Sequence, residues 1–357
     1  MSRRISPLNA TFAYSGRIDS YEGMPRFFYA ATSVTVRFKA TAVSAVIVSH
    51  KMYGETALGI QLDGRVFKLP YEQREGEIVV PIAEGLEYRE HELTLYKAQA
   101  GSCWFEFGGF EFSDDVELLP KKELPSRRIE CYGDSVSAGE VVHALDCVGK
   151  NDPEDHGGIY DDAWYAFPVI TARNLGAQIH DIAQGGISIF DRTGWFHCPD
   201  TIGMESVYDK VAFFPEAQGG VSKWDFTKYT PDVVLFAVGQ NDPHVEGGED
   251  NDINDPEFRS RWKKRYTEIL LDLRGHYPNA VFILLLTVLG HSHDWDDVLD
   301  EIVEELGDDK TVHYRFTRAG EATPGHPRVP EQYEMAEELT AFISAMGDGI
   351  WSGSGDE

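Results

Sequence analysis

The sequence predicts two domains, an N-terminal all-β sandwich of jelly-roll type and a C-terminal three-layer α/β domain with a parallel five-stranded sheet. Residues 1–113 hold short alternating apolar runs, broken by Gly, Asp and Pro, without a convincing helix, which is typical of a sandwich. In residues 128–357 apolar strands alternate with helical stretches, the pattern of a parallel sheet covered on both faces. Residues 114–127 are polar, contain two prolines and lack periodicity, so we predict a linker there.

Six runs in the N-terminal domain alternate apolar and polar residues as half-buried strands do. They are 34–38, 43–48, 59–62, 77–82, 93–96 and 103–107. Asp63-Gly64 follows the third run, and this pair tolerates the positive φ angles of a two-residue hairpin turn. We therefore expect a hairpin that turns at Asp63 and Gly64.

Five apolar runs predict the strands of the C-terminal domain, near 128–132, 178–183, 232–238, 280–287 and 311–316. Helical spacing of apolar residues predicts a helix over 258–274. A last helix is predicted from Pro330, since proline favours the first position, to Met346 before a glycine. In such a domain, ligands bind beyond the carboxyl ends of the strands.

Acidic residues strongly outnumber basic ones. The 60 Asp and Glu residues against 32 Lys and Arg give a net charge of −28. Such a surface repels phosphate backbones and anionic lipid, which argues against nucleic-acid and membrane partners and fits a neutral substrate. The first residues lack the apolar core of a signal peptide, so we expect a cytoplasmic protein, or alternatively a secreted protein whose signal has been removed. The sequence allows a homo-oligomer.

The cysteines show none of the spacings that hold a metal. Cys103, Cys131, Cys147 and Cys198 form no C-x-x-C pair, so we expect neither a zinc site nor a disulfide framework. The acidic segment 250–255 lacks the glycine that an EF-hand needs at its sixth position. We predict no metal and no cofactor.

A candidate nucleophile lies where the first strand of the α/β domain ends. The strand stops at Gly133 and turns onto a helix, which places the Ser135 N–H among the unpaired donors of a helix N-terminus. Such donors stabilise a developing oxyanion, so Ser135 can act as a nucleophile if a base accepts its proton. The alternative is that Ser135 only caps the helix. Asp134 and, later in the chain, Asp242 are expected to orient loops and backbone amides.

Three further blocks follow later strands, in the order Gly, Asn, His. Gly186 follows the second strand of the α/β domain, Asn241 the third, and His326 the last. Because the carboxyl ends of parallel strands share one edge, we expect these residues to meet Ser135. His326 is the candidate base, and the Ser135 amide, Gly186 and Asn241 are the candidate oxyanion hole. Each could instead serve only a turn or a loop.

The four blocks in this order resemble the SGNH (GDSL-type) hydrolase superfamily, and together with the β-rich domain they resemble carbohydrate esterase family 2. The N-terminal resemblance rests on Gly16-Arg17-Ile18-Asp19 and the strands of 27–38. The resemblance of the whole chain implies a serine esterase that removes O-acetyl groups from xylan-type oligo- or polysaccharides through an acetyl-serine intermediate. Its substrate would be an acetylated carbohydrate. The alternatives are a small-ester or lipid esterase of the same superfamily, and a carbohydrate-binding protein with an inactive esterase domain.

One expected residue is missing. The superfamily usually has an aspartate two or three residues before the histidine, where this chain has Pro324 and Thr323. We therefore predict a Ser–His dyad, in which a backbone carbonyl or another acceptor from the Thr323–Pro324 segment orients His326. Glu321, the nearest upstream acid, is the alternative third member.

Three tryptophans near strand ends, Trp164, Trp195 and Trp224, are candidates for lining the substrate cleft. Aromatic side chains are common in ligand pockets, and their faces suit sugar rings. The alternative for each is a place in the core.

Overall fold

The N-terminal domain is a β-sandwich of two antiparallel six-stranded sheets. The computed structural model describes residues 2–100, 103–197, 201–212, 220 and 222–352. The sandwich strands are β1 (Ser2–Ile5), β2 (Ala13–Ser15), β3 (Asp19–Tyr21), β4 (Met24–Phe27), β5 (Ser33–Lys39), β6 (Ala42–Lys51), β7 (Ala57–Leu62), β8 (Arg65–Pro70), β9 (Glu77–Glu84), β10 (Glu90–Lys97), β11 (Cys103–Ser113) and β12 (Glu117–Leu118).

The two sheets enclose one apolar core. One sheet has the order β3-β4-β11-β6-β9 with β1 on β11, and the other has β12-β5-β10-β7-β8 with β2 on β5. Strand β5 contributes Val34, Val36 and Phe38 to this core, all fully enclosed and on one face of the strand. The predicted hairpin is confirmed, because Leu62 pairs with Arg65 and both Asp63 (φ 51°) and Gly64 (φ 82°) have positive φ angles.

Part of the predicted linker belongs to the sandwich. Strand β12 lies within 114–127 and pairs with β5, Glu117 opposite Lys39 and Leu118 opposite Phe38. A strand of two residues is too short to show a period in the sequence, which is why the composition alone indicated a linker.

The C-terminal domain has a fully parallel sheet of five strands, in the order β14-β13-β15-β16-β17. The predicted α/β architecture is confirmed. Its strands are β13 (Arg127–Gly133), β14 (Ala177–Ala183), β15 (Val233–Ala237), β16 (Val281–Leu284) and β17 (Thr311–His313). Its helices are α1 (Ser135–Ala138), α2 (Phe167–Asn174), α3 (Met204–Val207), α4 (Pro256–His276), α5 (Asp294–Leu306) and α6 (Val329–Ala345).

Helices cover both faces of this sheet, which gives three layers. On one face, Trp262 and Tyr266 of α4 pack with Tyr132 of β13. On the other face, Met335 and Leu339 of α6 belong to the cluster that includes strand residues such as Ile129. In the described part of the chain, no helix has both the length and the hydropathy needed to cross a membrane.

The two domains share a buried ion pair. Arg17 of the sandwich donates from Nη2 to Glu130 Oε1 of β13 at 3.1 Å, and both side chains are fully buried. Its Nη1 also donates to the carbonyl of Tyr208 at 2.6 Å. The guanidinium therefore joins β13 to the loop after α3 and fixes the sandwich against both.

A loop of the α/β domain, residues 139–163, is held directly by the sandwich. Glu55 N donates to the Gly157 carbonyl at 2.8 Å, and Gln99 Nε2 donates to the Gly158 carbonyl at 3.0 Å. Ala163 N donates to the sandwich residue Ala98 at 2.8 Å. This loop, once anchored, supplies several side chains of the site described next.

Candidate active site

Ser135 lies on a tight turn from β13 into α1. Gly133 makes this turn sterically feasible, because a Cβ there would lie 2.2 Å from Ser137 Oγ and 2.3 Å from Ser137 Cβ. Asp134 then caps the helix, with its Oδ1 accepting the Val136 N–H at 3.0 Å. Ser135 is thus placed at the first helical position, 3% exposed, at the carboxyl end of a central strand.

Two backbone amides at this position have no acceptor. Among the described residues, neither the Ser135 N–H nor the Gly186 N–H donates a hydrogen bond. Gly186 occupies a turn closed by Ile187 N donating to the Gln184 carbonyl at 3.2 Å, and its φ of 75° favours glycine. A Cβ there would also lie 2.7 Å from Trp195 Cβ. Unpaired N–H groups of this kind can hold an oxyanion.

Asn241 reaches the same edge of the sheet but has protein partners. Its Nδ2 donates to Asp134 Oδ2 at 3.2 Å and to the Ile187 carbonyl at 3.0 Å. Gln240 Nε2 donates to the same Asp134 oxygen at 2.6 Å. Donation from Asn241 to an oxyanion would require one of its two bonds to be released, so its predicted role stays a prediction.

Both buried aspartates beside these residues accept hydrogen bonds from the loops. Burial raises the pKa of Asp134 to about 6, against the opposing effect of hydrogen bonds from Val136 and Gln240. Asp242 accepts the Ile189 N–H with both oxygens, at 3.1 and 3.0 Å, and burial raises its pKa to about 7. The two carboxyl groups connect the ends of β13, β14 and β15.

His326 is oriented by Asp152, which corrects the sequence prediction. His326 Nδ1 lies 2.7 Å from Asp152 Oδ2, and its backbone N–H donates to Asp152 Oδ1 at 3.0 Å. An ionised carboxylate only accepts, so Nδ1 carries the proton and Nε2 is left as the acceptor. The predicted orienting group in the Thr323–Pro324 segment is absent, since Thr323 Oγ1 donates to Glu331 instead, at 2.9 Å. The alternative, Glu321, is an exposed residue whose carboxylate lies 3.6 Å from His293.

The Asp152 carboxylate is itself fixed in place. Arg328, fully buried, has its Nη1 2.8 Å from Asp152 Oδ1 and also donates from Nε to the Ala144 carbonyl at 3.2 Å. Gly325 leaves room for the same group, because a Cβ there would lie 2.3 Å from Asp152 Oδ1. The loop that carries His326 is therefore shaped around Asp152.

Opposing effects set the pKa of the His326 ring. Burial alone lowers it, but the hydrogen bond to Asp152 and the charges of Glu140, Asp152 and Asp134 together raise the pKa above its ordinary value. Burial likewise opposes ionisation of Asp152, yet the hydrogen bond and charge of His326, with Arg328, hold the pKa of that carboxyl well below its usual range. The pair is suited to hold a proton on Nδ1 and to form an imidazolium.

Ser135 and His326 share close neighbours. Glu140 N donates to the Ser135 carbonyl at 3.0 Å, while the Glu140 Oε2 atom lies 4.0 Å from His326 Nε2. The charge of Asp134, the residue before Ser135, also acts on the His326 ring. The structure thus brings the predicted nucleophile and the predicted base to one end of the sheet.

Only one of the three tryptophans lies beside this site. Trp195 is 61% exposed, stacks on His244 with ring centroids 3.4 Å apart, and adjoins Gly186. Trp224 is 7% exposed and packs against Val211 and Tyr229, so it is a core residue and the prediction that it lines the cleft is wrong.

Trp164 belongs to a different cavity. Arg173 covers its ring at 4.3 Å, and Tyr96 of the sandwich lies 5.5 Å away. The cavity that it lines, about 170 Å³, lies between the sandwich and α2. The structure places Trp164 at the domain interface, and its predicted place in the substrate cleft stays a prediction.

Two residues of the site were missed from the sequence, Asp152 and Glu140. Both lie in the loop after α1, which has no periodicity and no recognisable motif. The only signal was the glycine at 325, whose missing side chain leaves room for Asp152.

Comparisons with known proteins agree with this architecture. Residues 14–121 match the family model described as carbohydrate esterase 2 N-terminal. The chain is 26% identical over 352 residues to cellulase/esterase CelE of Acetivibrio thermocellus, which covers 94% of this chain and 39% of that protein. It is 26% identical over 243 residues to an acetylxylan esterase / glucomannan deacetylase of Cellvibrio japonicus, covering 65% of this chain and 61% of that protein.

The chain therefore spans less than two thirds of the length of either relative. Among solved structures, a family two carbohydrate esterase from Clostridium thermocellum in complex with cellohexaose matches with a TM-score of 0.76 at 24% identity, over 94% of this chain and 98% of that one. Residues 14–121 are thus similar to the N-terminal domain of carbohydrate esterase 2, and the two domains together have the fold of a family two carbohydrate esterase.

Proposed function

We propose that the protein is a serine esterase that removes O-acetyl groups from xylan-type oligo- or polysaccharides. The observation that carries this proposal is the hydrogen bond between His326 Nδ1 and Asp152, 2.7 Å long, beside a serine on a strand-to-helix turn. A carboxylate on Nδ1 leaves Nε2 free of its proton, which is what a general base for a serine hydroxyl requires.

The proposed reaction has two halves. Ser135 Oγ attacks the acetyl carbonyl while His326 Nε2 takes its proton, and the imidazolium then protonates the departing sugar oxygen. In the second half, His326 Nε2 takes a proton from the water that attacks the acetyl-serine, and the imidazolium then returns this proton to Ser135 Oγ as acetate leaves. The unpaired amides of Ser135 and Gly186 stabilise the negative charge of each tetrahedral intermediate. One such donor lowers the activation free energy by roughly 2.7–4 kcal/mol.

The carbohydrate part of the proposal has independent support. The Trp195 ring offers an exposed aromatic face beside Gly186, held by its stack on His244. The names of the similar proteins include an acetylxylan esterase and an esterase bound to cellohexaose. The alternative of an inactive esterase domain that only binds sugar depended on an incomplete triad, and Asp152 removes that reason.

The test is acetate release from acetylated xylo-oligosaccharides by the wild type and by Ser135→Ala. We expect release by the wild type and a loss of more than about 10⁴-fold in the variant, since the nucleophile is gone. Both proteins should show the same thermal midpoint, which separates lost chemistry from lost folding. Absence of release by a folded wild type that still binds the oligosaccharide would favour the sugar-binding alternative.

A further inference from the structure

Glu140 places a carboxyl group beside the general base. Its Oε2 lies 4.0 Å from His326 Nε2, and the side chain is 17% exposed. None of the described residues donates a hydrogen bond to this carboxyl group. The carboxyl group is partly exposed, so its oxygens are available to a ligand that reaches His326.

The backbone on each side of Glu140 is shaped to hold the carboxyl group where it is. Val141, the next residue, has φ 56°, a left-handed conformation that is rare for a β-branched side chain. It is kept there by burial and by its N–H, which donates to Asp161 Oδ1 at 2.9 Å. Strain of this kind persists only where the surroundings impose it, and it concentrates at functional sites.

Gly185 supplies the space that the carboxyl group occupies. A Cβ at Gly185 would lie 1.9 Å from Glu140 Oε1, so the loop after β14 and the carboxyl group fit together only if residue 185 has no side chain. The neighbouring Gly186 contributes one of the two unpaired amides. The Glu140 carboxyl group therefore contacts the loop that carries Gly186 and lies 4.0 Å from His326 Nε2.

The same side chain lines a cavity at the junction of the two domains. This cavity has a volume of about 340 Å³ and is also lined by Tyr53, His156 and Asp161. That volume lies within the range of ligand pockets, roughly 300–1,000 Å³. Burial, together with the charge of Asp161, raises the pKa of Glu140, and the charge of His326 opposes this shift.

We propose that Glu140 selects sugar esters by hydrogen bonding the free hydroxyl next to the acetylated oxygen. His326 Nε2 must come within about 2.6–3.2 Å of the departing oxygen to protonate it. In a sugar, the hydroxyl on the adjacent ring carbon lies within hydrogen-bonding distance of that oxygen. A carboxyl group 4.0 Å from Nε2 can therefore reach this hydroxyl while Nε2 reaches the departing oxygen. Aryl esters have no such hydroxyl and gain nothing from Glu140.

The inference about Glu140 rests on the proposed esterase function. Two substrates allow the esterase function and the role of Glu140 to be tested separately. Cleavage of 4-nitrophenyl acetate that disappears in Ser135→Ala tests the esterase chemistry alone. The ratio of kcat/KM for acetylated xylo-oligosaccharide to kcat/KM for 4-nitrophenyl acetate tests Glu140. We expect Glu140→Ala to lower this ratio about 10- to 100-fold, the worth of one hydrogen bond to a buried polar group. Glu140→Gln, which keeps a donor and an acceptor, should restore much of it.

Gly185→Ala tests the position of the Glu140 carboxyl group without changing Glu140 itself, because the added Cβ collides with that group. We expect it to lower the ratio in the wild-type background and to have little further effect on the ratio when Glu140 is already alanine. Two results would overturn the proposal. One is an equal loss on both substrates in Glu140→Ala, which would mean that Glu140 acts on His326 and not on the sugar. The other is an unchanged ratio in that variant.

Discussion

At the scale of single residues, the carboxylate that holds His326 lies 174 positions earlier in the chain. Asp152 accepts both the ring Nδ1–H and the backbone N–H of His326, and Arg328 fixes its other side. The acid that is absent before the histidine is thus supplied by a loop from the other end of the domain. Its position relative to the ring, and not its place in the sequence, decides its chemical effect.

We expect Asp152→Asn to lower kcat for ester cleavage by about 10³- to 10⁴-fold, because the ring loses the partner that fixes its tautomer. The pKa of His326 should also fall, since Asp152 helps to raise it. A base with a lower pKa stays unprotonated to lower pH, so the acid limb of the kcat/KM profile should move to lower pH. Steady-state kinetics on 4-nitrophenyl acetate across pH measures both effects.

Glu321→Gln is the control for this prediction. Glu321 is exposed and contacts His293, so its loss should leave the rate and the pH profile at wild-type values. A large loss of kcat in Glu321→Gln together with a small one in Asp152→Asn would contradict the assignment of Asp152.

The candidate site residues that the sequence singles out are those tied to a local pattern. Ser135 and Gly186 each follow a strand within a short, glycine-containing turn, and the turn geometry is encoded by neighbouring residues. Asp152 and Glu140 carry no such pattern, because what defines them is contact with His326 and Gly185 far along the chain. Contacts of that range cannot be read from spacing.

At the scale of elements, the length of a strand or helix decided whether the sequence could predict it. The long alternating or uniformly apolar runs of β5, β6 and β13 were found within a few residues of their ends, as was helix α4. Helix α5 was not predicted, since its first turn contains Asp294, Asp296 and Asp297, which resemble a polar loop in the sequence. Acidic residues favour a helix N-terminus, so the same composition fits both structures.

The junction between Arg17 and strand β13 should dominate the stability of the domain interface. We expect Arg17→Ala to lower the free energy of unfolding by about 3–5 kcal/mol, because it removes the ion-pair partner of the buried Glu130 and leaves this carboxylate the Tyr132 hydroxyl as a donor, at 2.9 Å. The exposed pair of Arg4 and Glu77 is the matched control, with side chains 39% and 50% exposed, and Arg4→Ala should cost about 1 kcal/mol or less.

Urea unfolding of the two variants and the wild type measures this difference. Similar midpoints for Arg17→Ala and the wild type would show that water or a local rearrangement replaces the ion-pair partner that Glu130 loses. If Arg4→Ala lowered the free energy of unfolding as much as Arg17→Ala does, the size of the loss would not depend on the burial of the ion pair, and the prediction would be contradicted.

At the scale of the whole molecule, two features make the fold sensitive to alkaline pH. The chain carries a net charge of −28, and self-repulsion of that size destabilises a compact state. Several carboxyl groups near the site are also buried, among them Asp134 and Asp242, whose pKa values are raised to about 6 and about 7. Both features oppose ionisation in the folded protein.

We therefore expect the thermal midpoint to fall between pH 6 and pH 8, by on the order of 5 °C. In the unfolded chain these carboxyl groups lose their protons near pH 4, whereas the folded protein keeps them to higher pH. The folded state then binds more protons than the unfolded state, so stability is lost as pH rises through the folded pKa values. The raised pKa of His326 acts in the same direction, and the depressed pKa of Asp152 matters only below about pH 4.

Calorimetry at constant ionic strength measures the midpoint, and two comparisons separate the causes. Asp242→Asn removes one buried ionisation and should reduce the drop between pH 6 and pH 8. Added salt screens the surface charge but reaches buried groups much less, so the part of the drop that survives high salt belongs to the buried carboxyl groups. A midpoint that rises from pH 6 to pH 8 would mean that these carboxyl groups are ionised in the fold with stronger partners than Val136, Gln240 and Ile189 provide.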